Sequence, residues 1–237
     1  MRHGRLGTEE ELLATEADYT AAPLSLLLTL ILLRETGIRP RRILDPAAGS
    51  GSWGRAAAVA WPEAGLVALE PREQEAPGLR RVYHRVVVGR FGEADVGGPY
   101  DLLLGNPPFT SWSSGWHVFA RRQGLLAPGG LVALLGLSQW GQSRQAWPLL
   151  RTWPPELQVR TGGRMQGRGD GSTDARETSL WVFREGRTPE AHPRWTTVQA
   201  PPLGRRLHSW SLGRVPGVQP LLGADIAAVR ALATPRS

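Results

Sequence analysis

Short apolar runs alternating with helix-length segments constrain this chain more than any other feature. RRILD (41–45), LVALE (66–70), RVYHRVVVG (81–89), YDLLLG (100–105) and GGLVALLGL (129–137) read as strands, with glycine or proline nearby. Such continuous runs suit strands covered by helices on both faces of a parallel sheet, whereas one-sided sheets alternate apolar and polar residues. Helices are expected over Pro23–Glu35, SWGRAAAVA (52–60), GWHVFARRQGLL (115–126) and QWGQSRQAWPLL (139–150), and late strands at ELQVR (156–160) and TSLWVFR (178–184). The pattern predicts an α/β fold, a Rossmann-like and mostly parallel sheet with helices on both faces. A chain of 237 residues accommodates one such domain, expected over 1–185. From 186 to 237 the pattern breaks down into PEAHPRW, APPLGRR and SWSLGRVPG, a short irregular extension rich in proline and glycine, with one short helix expected near Ala224–Leu232.

Composition removes several chemistries. There is no cysteine, which excludes disulfides, thiolate zinc sites and cysteine nucleophiles. The five histidines are scattered without metal-ligand spacing, so no metal site is expected. All 28 basic residues are arginine, and the absence of lysine rules out a Walker A loop and Schiff-base chemistry. Ser138 lacks the flanking glycines of a nucleophile elbow. The net charge of +7 points to a polyanionic partner, and residues 186–237 carry seven arginines against Glu190 and Asp225. The run LSLLLTLILL (24–33) is ten residues long, too short to span a bilayer. Acidic residues precede it where a signal peptide would be basic, so a cytoplasmic protein is expected.

Two motifs carry the chemistry. DPAAGSGSWG (45–54) joins the first strand to the next helix and contains G-x-G-x-x-G from Gly49 to Gly54. Such a loop turns tightly and lets a ligand approach the backbone. Glu70 ends the second strand, where a carboxylate takes two ribose hydroxyls. This much suits either a nicotinamide dinucleotide or S-adenosylmethionine. Asp45 at the head of the loop shifts the weight, because a carboxylate repels a pyrophosphate and attracts an ammonium. The second motif is Asn106-Pro107-Pro108-Phe109, directly after the fourth strand. Turn chemistry accounts for Asn106 and Pro107 but not for the second proline and the aromatic.

In this order the two motifs resemble the S-adenosylmethionine-dependent amino-methyltransferases that modify N6 of adenine, and GRMQGRGDGSTDARETSLWVF (163–183) resembles the tract before the late strand in the small phage and prophage DNA enzymes. The resemblance runs from about residue 19 to 184 and implies a class I methyltransferase domain over 1–185. It implies a cofactor site at Asp45, Pro46, Ala47, Gly49, Gly51, Glu70 and Asn106, closed by Tyr19 and Thr20 from TEADYTAAP (15–23). Phe91 in FGEAD matches the aromatic beside the cofactor's adenine, while Arg90 stands where these enzymes commonly place an aspartate; Glu93 and Asp95 are the nearby acids. Asn106, Pro107 and Phe109 are implied as catalytic. Asn106 Oδ1 and the Pro107 carbonyl would each accept an N–H of the target amine, localising its lone pair towards the sulfonium methyl. Phe109 would stack on a base flipped from its helix. Trp112 and the arginines of the segment before the last strand, Arg160, Arg164 and Arg168, are candidate nucleic-acid contacts. Trp112 and Trp116 read equally as a nucleotide clamp or as packing on the next helix, while Trp181 and Phe183 of the late strand read as core ahead of facing the base pocket. DNA is the expected partner ahead of RNA, and the extension is a candidate surface for a protein partner. The alternatives are a ribosomal RNA methyltransferase (adenine N6 or guanine N2), a glutamine-amide methyltransferase, a catalytically inactive nucleic-acid-binding relative and, from the glycine loop alone, a nicotinamide oxidoreductase.

Overall fold

The computed structural model describes residue 20 and residues 22–108, 115–166, 173–191 and 195–200, with 162–166 and 173–176 described through their backbone. Helix α1 (Ala22–Thr36) is followed by β1 (Arg42–Asp45), α2 (Ser52–Ala60) and β2 (Gly65–Glu70). A single turn at Glu73–Glu75 and the short α3 (Ala76–Leu79) lead to β3 (Arg85–Val88) and β4 (Tyr100–Gly105). Then come α4 (Trp116–Arg122), β5 (Leu126–Leu137), a 3-10 segment (Ser138–Gln142) and α5 (Ala146–Thr152). Strands β6 (Leu157–Gln166), β7 (Thr173–Arg184) and β8 (Thr196–Gln199) complete the order.

All eight strands form one sheet in the order β3-β2-β1-β4-β5-β7-β6-β8. Strands β1 to β5 pair in parallel, β7 runs antiparallel to both its neighbours, and β8 is parallel to β6. The predicted α/β class and mostly parallel sheet are what the structure has. From β1 the chain winds outward through β2 to β3, then crosses back to β4 on the other flank. The order therefore reverses between β1 and β4, and in open α/β sheets ligands bind at that reversal, outside the carboxyl ends of the strands.

The central strands β1, β2, β4 and β5 bury both faces, as their apolar runs require, whereas the edge strands β3 and β8 are partly to mostly exposed. On one side Ile43, Ala68, Leu102, Leu104 and Leu135 join Leu28, Ile31 and Leu32 of α1. On the other, Leu44, Leu69, Leu103 and Leu134 join a set of rings from Trp140, Trp153, Trp181 and Phe183. Helix α1 is buried from Leu26 to Leu32 around almost its whole circumference, which makes it a core helix. Among the described residues no helix is long and apolar enough to cross a membrane.

The structure departs from the expected elements in several places: the helix expected over 115–126 ends at Arg122, so that Leu126 already opens β5, and β6 and β7 are longer than expected. The helix expected over 139–150 is split at Ser143, whose backbone is extended (φ −77°, ψ 149°) and whose Oγ accepts the Ala146 N–H (3.2 Å) at the start of α5. The third strand is only 85–88; before it, Tyr83 turns into the core and His84 Nδ1 accepts the Leu66 N–H (3.0 Å). Strand β8, within the stretch expected to be irregular, was not foreseen, since its mostly exposed TTVQ carries no apolar signal. The helix expected near 224–232 lies outside the described residues.

Candidate active site

The glycine loop leaves β1 at Asp45 and enters α2 at Ser52. Gly49 and Gly51 have φ of +54° and +84°, in the left-handed region that favours glycine. The loop is pinned from below by backbone bonds, Ala48 N–H to the Leu69 carbonyl (3.0 Å) and Gly51 N–H to the Ala48 carbonyl (2.8 Å). From the side, Arg55 donates to the Ser50 carbonyl (2.9 Å). Thr20, buried, accepts the Trp53 indole N–H (3.2 Å), which ties the segment before α1 to the first turn of α2.

Glu70 is buried at the end of β2, beside this loop. One carboxylate oxygen accepts the Gly49 N–H (2.8 Å), and the other accepts the backbone N–H of Arg72 (3.1 Å) and its Nε–H (2.6 Å). The sequence placed the acid correctly at the strand end, but it did not foretell that the acid anchors the loop or that Arg72 shares it.

Asp45 is turned beneath the loop. Its Oδ2 accepts the Tyr83 O–H (2.5 Å) and its Oδ1 the Ala47 N–H (3.3 Å), while Tyr83 Oη accepts the Gly54 N–H (2.9 Å). Burial pushes the Asp45 carboxyl up to about 7; the bonds from Tyr83 and Ala47 pull it down, and the charge of Glu70 adds to the rise. Burial first, then the neighbouring acid, holds the Tyr83 phenol well above its ordinary range. Asp45 is therefore a structural brace under the loop, and the attraction for an ammonium expected of a bare carboxylate is weakened by its protonation near neutral pH. Tyr83 is a site residue that the sequence did not reveal.

The two motifs meet. A Cβ on Gly105, the last residue of β4, would lie 2.8 Å from Asp45 Oδ1 and 3.1 Å from Pro46 Cδ. Only glycine permits this approach. It brings Asn106 and Pro107, both buried, next to the loop headed by Asp45, Pro46 and Ala47. Phe91, beyond β3, packs on Trp116 and Phe119 of α4, with ring centroids 4.5 and 5.3 Å away. Of the two nearby acids, Asp95 is committed to a turn by accepting the Gly97 N–H (2.8 Å), whereas Glu93 is exposed.

Arg160 is at the surface of β6, paired with Glu177 at 3.0 Å, both about half exposed, and Arg164 is in the same strand. A pair so exposed contributes little to stability and can exchange partners. Trp181 and Phe183 are core residues. Tyr19, Phe109, Trp112 and Arg168 lie outside the described residues. Among the described residues no group of three His, Asp or Glu could hold a metal ion.

No protein-family model matches the chain. It is 32% identical over 111 residues to the ribosomal RNA large subunit methyltransferase G of Streptomyces coelicolor, a match covering 41% of this chain and 29% of that protein. The chain thus spans less than a third of that curated relative. Among solved structures, a predicted O-methyltransferase from Agrobacterium tumefaciens superposes with a TM-score of 0.53 at 16% identity, over 90% of this chain and 97% of that one. The M protein of the type I restriction enzyme EcoKI gives 0.52 at 15% identity, over 80% of this chain and 50% of its own. At such identities the likeness shows a shared fold.

Proposed function

We propose that this chain transfers a methyl group from S-adenosylmethionine to an exocyclic amine of a nucleic-acid base, with Asn106 and the Pro107 carbonyl as the two acceptors for that amine. The approach of Gly105 to Asp45 and Pro46 carries the reading, because it sets the glycine loop and the acceptor pair side by side at the reversal of strand order. The residues fit the cofactor. Gly49 and Gly51 give the loop its tight left-handed turn, Glu70 ends β2 where adenosine hydroxyls would be taken, and Thr20 borders the same helix turn. Glu70 would exchange the Arg72 bonds for those hydroxyls. The 32% identity to a methyltransferase over part of the chain supports the same assignment.

When bound, the cofactor supplies an electrophilic methyl on a sulfonium. An aromatic amine is a weak nucleophile because its lone pair is delocalised into the ring. By accepting one N–H each, Asn106 Oδ1 and the Pro107 carbonyl hold the nitrogen towards tetrahedral geometry and aim the lone pair. Their fixed placement between Gly105 and Pro108 lowers the reorganisation needed during reaction. Orientation alone supplies on the order of 7–11 kcal/mol of barrier reduction in favourable cases. Phe109 takes the role of stacking platform for the base.

The order and composition of the two motifs favour N6 of adenine in DNA. The name of the curated relative favours ribosomal RNA, with the same chemistry on adenine N6 or guanine N2. A digest separates them. The protein is incubated with labelled S-adenosylmethionine and duplex DNA, single-stranded DNA or unmodified ribosomal RNA, and the hydrolysed nucleosides are identified by mass spectrometry. Label in N6-methyldeoxyadenosine selects DNA, and label in a methylated adenosine or guanosine selects RNA. Bound cofactor with no labelled nucleoside from any of the three would sink the amine-transfer reading.

A further inference from the structure

A second cavity opens on the sheet face that carries α4 and α5, between the 3-10 segment after β5 and strands β6, β7 and β8. It holds about 600 Å³ and is lined by Gln139, Gln142, Gln158, Arg160, Trp181 and Trp195, among others. That volume falls within the roughly 300–1,000 Å³ of small-molecule sites. The acceptor pair follows β4, whereas the cavity's strand walls are β7, β6 and β8, two to four strands away across the sheet, roughly 10–19 Å at the usual strand spacing, and its remaining wall follows β5, the neighbour of β4. Its lining includes neither Asn106 and Pro107 nor any residue of the glycine loop.

The lining is built. Gln158 is 8% exposed, and its Nε2 donates to Ser179 Oγ (3.1 Å), which itself bonds Ser138 Oγ (2.7 Å). This network fixes the carboxamide and leaves its oxygen and second N–H for a ligand. Gln139 and Gln142, both exposed, bring further carboxamides to the lining. Trp195 is 38% exposed and offers a flat apolar face, while Arg160 and Glu177 neutralise each other. Paired donors and acceptors, an aromatic face and no net charge suit a planar, neutral, polar-edged ring better than an anion.

We propose that this cavity binds a nucleobase other than the one that reacts, adenine by preference, because a glutamine carboxamide pairs with the adjacent donor and acceptor of adenine N6 and N7. It is a sequence-selecting pocket for a neighbouring unpaired nucleotide, with Gln158 reading the edge and Trp195 stacking on the ring. The assignment rests on the nucleic-acid reading above and adds a specificity determinant to it.

The test uses the full chain and adenosine 5′-monophosphate, titrated by calorimetry with saturating S-adenosylhomocysteine so that the cofactor's adenosine site is blocked. Saturable binding is expected, weakened about 5- to 150-fold by Trp195→Ala, the range that loss of base–aromatic stacking commands. Gln158→Leu should weaken it as well and erase the preference over uridine 5′-monophosphate, while Asn106→Ala should leave it unchanged. Trp195 is partly exposed, so its variant keeps the test open should Gln158→Leu fail to fold. No binding by the wild type at millimolar nucleotide, or equal binding by Trp195→Ala, overturns the second site. Pocket-dependent binding alongside a digest without methylated nucleoside would leave the second site standing and remove only the proposed chemistry.

Discussion

Asn106 is buried at the end of β4, between a glycine that cannot accept a Cβ and a proline that fixes its own φ. Asn106→Ala removes one acceptor and no part of the glycine loop. Turnover is expected to fall about 10²- to 10³-fold, the usual consequence of deleting one preorganised hydrogen-bonding group, while cofactor affinity stays within a few-fold; single-turnover rates and calorimetry check both. Near-wild-type turnover would remove Asn106 from the chemistry. Asp45 gives a different signal. Its carboxyl titrates near 7 when folded and near 3.8 otherwise, so the folded state binds the extra proton between those values. Its burial is uncompensated only once ionised, and stability from this group therefore falls as pH rises from about 4 to about 7. His117, pushed down to about 3 by burial among rings, works the other way by destabilising the fold as pH drops below about 6.5. The difference between Asp45→Asn and wild type isolates the carboxyl, since asparagine can still accept the Tyr83 O–H. The melting temperature of the variant relative to wild type is expected to rise between pH 5 and pH 8, and a pH-independent difference would mean that Asp45 ionises normally.

At the scale of elements, local chemistry was legible and long-range partnership was not. RILD, SWGRAAAVA and YDLLLG became β1, α2 and β4 almost as expected, because burial on two faces and an alanine-rich helix leave a local mark. Tyr83 left none. It reaches Asp45 from 38 residues away and Gly54 from 29, and VYHRVVV reads as one strand until the fold turns the tyrosine under the loop. Gly54, the third glycine of the motif, shows the cost of that contact. An added Cβ would lie 2.2 Å from Tyr83 Cζ, so Gly54→Ala must expel the ring. The substitution is expected to destabilise by about 1–3 kcal/mol, as overpacking does, and to weaken cofactor binding through the displaced loop. Tyr83→Ala alone should also destabilise, by opening a cavity and orphaning Asp45. The double variant should be less impaired than the sum, because the clash exists only while the ring is present. Additive effects in denaturant melts would show that the glycine is needed for backbone freedom and not for Tyr83.

Over the whole molecule, charge is the property that, on the proposed function, separates cofactor from polymer. The acids that pair in the described part, Glu35, Glu70, Glu156, Glu177 and Glu185, each take an arginine, while seven arginines face two acids in 186–237. The excess behind the net +7 therefore draws heavily on the later part of the chain, much of it beyond Ala200 and outside the described residues. Binding to a nucleic acid through such arginines releases condensed counterions, and the logarithm of affinity then falls linearly with the logarithm of salt, by about 0.9 per neutralised phosphate on a duplex and about 0.7 on a single strand. On the proposed function, cofactor affinity rests on hydrogen bonds in the glycine loop and is expected to have no such dependence. Titrations between 50 and 200 mM salt, chosen as roughly the range over which phosphate-dominated binding changes most visibly, should give a steep slope for the polymer and a nearly flat one for S-adenosylmethionine. Removing residues 201–237 deletes five of those arginines and one acid but neither motif. The shortened chain should keep cofactor affinity while its polymer slope becomes shallower by about 0.7–0.9 for each phosphate that those arginines had neutralised. If the slope is unchanged, the arginines of that segment touch no phosphate. The polymer would then be held by the arginines of the folded domain, Arg160 among them, through exchange of Glu177 for a phosphate.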